Sequence, residues 1–144
     1  MSSSQINSAA GLGANAVLLI QAIYDRGYGE LSIDEMVALA HSKGLEVILE
    51  THTEKEFITA IESKADLVGI NNRDLSTLKI DLNTTKEILQ KVNSKGKLVV
   101  SESGIKSPFD IRFLRGCGAS AFLVGSSVML TDNIELKIKE FVNA

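Results

Sequence analysis

The sequence predicts an α/β protein built on parallel strands, and three observations carry that prediction. Short β-branched, apolar runs recur along the chain, each followed by a stretch with helical periodicity. The runs are continuous rather than alternating, as in strands buried on both faces of a helix-covered sheet. They also end, one after another, in small or charged polar residues. Strict β-α-β-α order implies parallel strands with right-handed crossovers. Two architectures satisfy it: an open doubly wound sheet, or part of an eight-stranded barrel. A complete barrel needs about 250 residues, so this 144-residue chain holds only the larger part of one.

Taken in order, Gln5–Leu12 reads as a short helix closed by Gly11 and Gly13. Ala16–Ile20 (AVLLI) is the first strand, and a glycine-containing loop, Asp25–Gly29, follows it. Ser32 with Glu35 forms a capping box before a helix whose stripe is Ile33, Met36, Val37 and Ala40, ended by Gly44. Leu45–Leu49 is a strand ending at Glu50, and Thr53 with Glu56 makes a second capping box for a helix bearing Phe57, Ile58 and Ile61. Asp66–Ile70 is the third strand, ending in Asn71-Asn72-Arg73-Asp74, and a longer loop leads to a helix over about Thr84–Val92. Leu98–Ser101 is the fourth strand. Ser107-Pro108 opens the next helix, since proline suits the first helical position; its Ile111, Leu114 and Cys117 are expected to face the sheet. Ala121–Val124 is the last strand, and Ile134–Val142 a closing helix with Ile134, Ile138 and Phe141 inward.

Composition narrows the function classes. The chain is 44% hydrophobic and 23% charged with one proline, which suits a folded domain rather than disorder. A formal net charge of -3, with no basic block, argues against nucleic acid as the partner. The single cysteine, Cys117, excludes an internal disulfide framework and any multi-cysteine metal site; it reads as an inert thiol. No apolar leader or membrane-spanning run is present, so a cytoplasmic enzyme-like domain is expected, without membrane partners.

In a parallel sheet every strand's C-terminal end lies at one edge, so the strand-end residues converge on one mouth. These are Glu50, Asn71 with Arg73, Glu102 with Ser103, and Gly125 with Ser126. Two carboxylates stand there beside two glycine-bearing turns, Glu102-Ser103-Gly104 and Gly125-Ser126-Ser127. Glycine lets the backbone approach a ligand, and N–H groups in such turns attract anions. His52, just past Glu50, reads as a solvated loop histidine, and His41, within a helix, as structural or exposed. Neither has metal-pair spacing with a carboxylate, so no metal is expected.

Specific motifs sharpen this. VILET (Val47–Thr51, with Glu50), GINNRDL (Gly69–Leu75), VSESGI (Val100–Ile105) and GASAFLVGSSVM (Gly118–Met129) resemble the strand-five to strand-eight motifs of indole-3-glycerol phosphate synthase. GANAVLLI (Gly13–Ile20) resembles the fourth strand of that family, and SSQINSA (Ser3–Ala9) its third helix. The resemblance covers nearly the whole chain and implies a parallel (β/α) barrel of TIM type, present over residues 1–144 as an incomplete barrel of about five β-α units. This would be the C-terminal portion of a phosphate-binding enzyme.

The resemblance also implies a carboxy-lyase of tryptophan biosynthesis. Its substrate, 1-(2-carboxyphenylamino)-1-deoxyribulose 5-phosphate, loses carbon dioxide and water as the indole ring closes, with no cofactor. Carried over by position, Glu50 resembles the catalytic carboxylate and Asn71 the residue that orients substrate. Arg73, Glu102 and Ser103 resemble substrate contacts, while Gly104, Gly125 and Ser126 resemble the phosphate site. Arg73 is equally open to pairing with Asp74.

The family's first three strands, with a catalytic lysine and an acid–lysine pair, have no counterpart in this chain. The chain is therefore expected to be inactive alone, and its two open sheet edges to bind the missing N-terminal barrel portion or a second copy. Two alternatives stand beside this reading: a non-catalytic phosphate-binding half-barrel or assembly module, and another phosphate-site barrel such as phosphoribosylanthranilate isomerase.

Overall fold

The computed structural model describes residues 1–144. Five strands, β1 (Ala16–Ile20), β2 (Glu46–Thr51), β3 (Leu67–Asn71), β4 (Leu98–Glu102) and β5 (Ala121–Leu123), form one sheet. All pairings are parallel and the spatial order follows the sequence, β1-β2-β3-β4-β5. Sequential order without a reversal is the arrangement of a barrel wall, not of a doubly wound sheet with its switch point. The sheet does not close: β1 and β5 are both free edges.

The helices are α1 (Ser3–Gly11), α2 (Gln21–Asp25), α3 (Ile33–Ser42), α4 (Glu54–Glu62), α5 (Asn83–Lys91), α6 (Pro108–Gly116), α7 (Ser126–Met129) and α8 (Ile134–Val142). Two of them, α2 and α7, are single turns placed directly after strand ends and absent from the sequence reading. The first helix starts at Ser3 rather than Gln5, because Ser2 caps it with Gln5 as the reciprocal partner. Ser32–Glu35 and Ser107–Asp110 form complete capping boxes. The Thr53 box is only half made. Thr53 Oγ1 accepts the Glu56 backbone N–H, but the Glu56 carboxylate accepts the N–H of His52 at 2.7 Å instead.

Strand alternation divides the sheet into two unlike faces. Leu19, Val47, Leu49, Val68, Ile70 and Val99 pack under Met36, Val37, Ala40, Phe57, Ala60, Ile61 and Ile88 of the helices as the main core. Burial on both faces was the expectation for these strands, and it holds only in part. On the opposite face Ile20 and Ile48 are half-buried, while Leu98 and Leu123 are exposed, because no strand or helix closes over them. A second cluster of Ile105, Ile111, Leu114, Ala119 and Phe141 anchors the C-terminal end. There, α8 turns only Phe141 inward; Ile134 and Ile138 are both 45% exposed, against expectation. Cys117 caps α6 and is half-buried rather than pressed on the sheet. No helix is long and apolar enough to cross a membrane.

Candidate active site

On the uncovered face the strand register fixes which side chains are neighbours. Ile20, Glu50, Gly69, Val100 and Ala121 form one row, and Asn71, Glu102 and Leu123 the next. Glu50 and Glu102 thus come from strands two apart, with Gly69 between them. A Cβ at Gly69 would stand 3.0 Å from Glu102 Cδ and 3.4 Å from Glu50 Cα. Glycine therefore leaves the gap through which the two carboxyl groups meet.

Both glutamates are buried, and Asn71 Nδ2 donates to Glu50 Oε1 at 3.2 Å. Glu102 Oε1 has no hydrogen-bond partner of its own. Burial, and then the charge and contact of Glu50, push the Glu102 carboxyl up to about 8. Near neutral pH Glu102 therefore holds its proton and stands as a neutral acid beside the Glu50 carboxyl. That is the arrangement by which one site supplies both acid and base.

The paired asparagines divide their work by strand alternation. Asn71 points to the uncovered face and also accepts the Arg73 N–H at 2.9 Å. Asn72 points to the helix side, where it is 1% exposed. Its Nδ2 donates to Ser101 Oγ at 3.0 Å and to the Ser103 carbonyl at 3.1 Å, and its Oδ1 accepts from Thr85 Oγ1 at 2.8 Å. This network ties the end of β3 to the turn after β4. It also holds Ser103 at φ 67°, a region that costs a non-glycine residue energy.

Arg73, Ser103, Gly104, Lys106, Gly125, Ser126 and Ser127 line one cavity of about 290 Å³. Arg73 forms no ion pair with Asp74; the Asp74 carboxylate instead accepts the N–H groups of Ser76 and Thr77. Gly104 has φ +81°, and a Cβ there would run into Ile80 and approach Leu82 Cδ2 at 3.3 Å. At Gly125 a Cβ would meet nothing within 4 Å, so no protein packing demands that glycine.

All eight residues singled out in the sequence lie at the C-terminal edge of the sheet: Glu50, Asn71 and Glu102 as one buried group, the other five around the adjoining cavity. Three further residues join the site without being singled out by the sequence pattern. Lys106 brings a second cation to the cavity and carries no periodic signal. Asn72 was hidden by its twin. His52 is the clear correction: it is not solvated but 13% exposed, with Nε2 3.3 Å from Glu50 Oε1 and Nδ1 3.6 Å from Glu56 Oε2. Its two-residue spacing from Glu50 was the available signal, since that spacing repeats the face of a strand.

Comparison with known proteins bears on the fold and the family. Among solved structures, a thiamine phosphate pyrophosphorylase from Pyrococcus furiosus superposes with TM-score 0.70 at 19% identity, covering 96% of this chain and 62% of that one. A mandelate oxidase gives TM-score 0.67 at 20% identity, covering 99% and 53%. These likenesses establish the fold alone. In sequence, the chain is 45% identical over 138 residues to the indole-3-glycerol phosphate synthase of Caldanaerobacter subterraneus subsp. tengcongensis, covering 96% of this chain and 51% of that protein. The Methanocaldococcus jannaschii enzyme of the same name is 41% identical over 138 residues, covering 96% and 49%. The chain spans about half the length of these curated relatives. The family model for indole-3-glycerol phosphate synthase matches residues 1–141, and a match of that extent means that the chain belongs to the indole-3-glycerol phosphate synthase family.

Proposed function

We propose that this chain carries the strand-end half of an indole-3-glycerol phosphate synthase active site. The reaction closes the indole ring of 1-(2-carboxyphenylamino)-1-deoxyribulose 5-phosphate with loss of carbon dioxide and water. The observation that carries the reading is the Glu50–Glu102 pair beside a cation-bearing cavity of about 290 Å³. The substrate is a phosphate at one end and a carboxylated aromatic amine at the other, and the two features answer those ends.

In this reading the phosphate sits in the cavity against Arg73, Lys106, the hydroxyls of Ser103 and Ser126, and the backbone N–H groups of Gly104 and Gly125. Anion binding by oriented N–H groups and charge-assisted bonds favours that placement. The open space at Gly125 supports it, since a ligand explains a glycine that packing does not. Asn71 orients both Glu50 and the substrate. Glu50, anionic, stabilises positive charge developing on the ring nitrogen and takes up a proton as the ring aromatises. Glu102, protonated, holds a hydrogen bond to a substrate oxygen.

In this reading the proton donor is the family's lysine acid, carried by the N-terminal strands of the complete barrel. Losing a positioned proton donor costs about 10²–10⁴-fold, so the chain alone is expected to be inactive and to require the N-terminal barrel portion. The free edges of β1 and β5 and the uncovered face offer the docking surface for that portion or for a second copy. The test is complementation. Co-refolding with an N-terminal segment bearing the lysine should restore indole fluorescence from the substrate. A well-folded reassembled barrel without turnover would reject the assignment.

A further inference from the structure

His52 is the buried ionisable group that the lyase reading leaves without a role. It follows β2 in the same alternation as Glu50, so its ring lies on the uncovered face at the strand end. Its Nε2 is 3.3 Å from Glu50 Oε1 and its Nδ1 is 3.6 Å from Glu56 Oε2. Both nitrogens are sealed from solvent, and neither makes an aligned hydrogen bond. Leaving a buried polar group unpaired is destabilising, a cost that an apolar residue at this position would avoid.

The surrounding charges set what the ring does. On the side of a cavity of about 290 Å³ it faces Glu56, Asp74 and Arg26, with the Tyr28 phenol on the same wall. On the other side stand Glu54, Glu87 and Lys91, and Lys91 is already engaged by Glu54 at 3.3 Å. Carboxylates outnumber cations around the ring, an environment that favours an imidazole directing N–H to its neighbours. Glu50 Oε1 thus lies within reach of both His52 Nε2 and Asn71 Nδ2, with the Glu102 carboxyl beyond Gly69 on the next strand but one.

We propose that His52 is a positioning residue for the carboxyl pair: by directing an N–H toward Glu50 it keeps Glu50 anionic and assigns the pair's shared proton to Glu102. The use of that proton rests on the lyase reading, whereas its location is tested on this chain alone.

The test is NMR of the chain carrying ¹³C-labelled glutamate carboxyls and ¹⁵N-labelled histidine, titrated through pH 8. In the parent protein the step near pH 8 moves Glu102 Cδ and leaves Glu50 Cδ nearly still. In His52→Asn, about half or more of that amplitude should pass to Glu50 Cδ, since an opposite charge or donor alters a neighbouring carboxyl's proton affinity by about tenfold or more. Should His52→Asn not fold, the ring nitrogens report in its place. Glu50→Gln should shift the Nε2 resonance and Glu56→Gln the Nδ1 resonance. Amplitude that stays on Glu102 in a folded His52→Asn protein, or ring nitrogens indifferent to Glu50→Gln, would overturn the proposal. Failure of the lyase reading is separate: it removes indole formation from the reassembled barrel and leaves this titration as it was.

Discussion

Glu50 on β2 and Glu102 on β4 meet across Gly69, the residue that shares a row with Glu50 on the intervening strand. Any side chain on β3 at that level would part them. The approach of the two carboxyl groups thus depends on a residue with no chemistry of its own.

Gly69→Ala tests that dependence. The new Cβ would press on the Glu102 carboxyl and the Glu50 backbone, and overpacking of this kind costs about 1–3 kcal/mol. A lower urea midpoint is expected, with the Glu102 titration moving from about 8 toward the ordinary carboxylate range as the group is pushed off Glu50. A titration unchanged in a folded variant would show that Gly69 does not hold the pair together.

The raised proton affinity of Glu102 makes stability depend on pH. The folded protein keeps this proton up to about pH 8, while the unfolded chain releases it near 4.5. The contribution is therefore fully present below 4.5 and lost as pH rises through about 8. Between these limits its slope approaches about 1.4 kcal/mol per pH unit. Denaturation of the parent and Glu102→Gln proteins across this range isolates the effect: the difference between them should change with pH and level off above 8.

Asp66 has the opposite sign. Burial raises its carboxyl, but hydrogen bonds from His41 at 2.9 Å and from the Val47 N–H at 2.7 Å outweigh that and hold it below the usual range. Its contribution is present at neutral pH and is lost as pH falls below 3.8 through the folded value. Asp66→Ala should cost about 1 kcal/mol at pH 7, since the group is partly exposed and solvent screens it. The penalty should fade in acid, as urea denaturation at both pH values would reveal.

The cavity should bind inorganic phosphate in the isolated chain. Shifts in amide resonances at Gly104, Gly125 and Ser126 are the expected signature. Arg73→Ala should weaken the apparent affinity about tenfold, the scale of one charge-assisted hydrogen bond. Gly125→Asp should abolish binding without unfolding, because the space beside Gly125 is open.

The free edges of β1 and β5 predict association. Sedimentation of the purified chain should give a mass above 15.5 kDa, collapsing to a one-to-one complex when the N-terminal portion is added. A stable monomer would show that the edges are protected.

The alternation of elements, capping and the convergence of the strand ends were legible because each follows from local pattern, whereas the sequential strand order was not, since the same alternation also fits a doubly wound sheet. Leu49 and Glu50 alternate, Ser32 and Glu35 are spaced as a cap, and parallel strands share one edge. What escaped depended on contacts between elements. Glu56 reads as a capping partner for Thr53, yet the His52 backbone N–H claims its carboxylate. Ile134 and Ile138 have core spacing, yet each stays 45% exposed, and Phe141 alone of α8 is buried. The turn at α7 holds only four residues, too few for periodicity to register. His52 lay two residues from Glu50, and only the fold shows that the loop bends inward.

The most direct measurement is an NMR titration of this chain with indole-3-glycerol phosphate, the product of the proposed reaction. Perturbations should fall in two connected groups, Gly104, Gly125 and Ser126 around the phosphate and Glu50, Asn71 and Glu102 around the ring. Perturbations scattered over the surface, or confined to a region away from the strand ends, would contradict that placement.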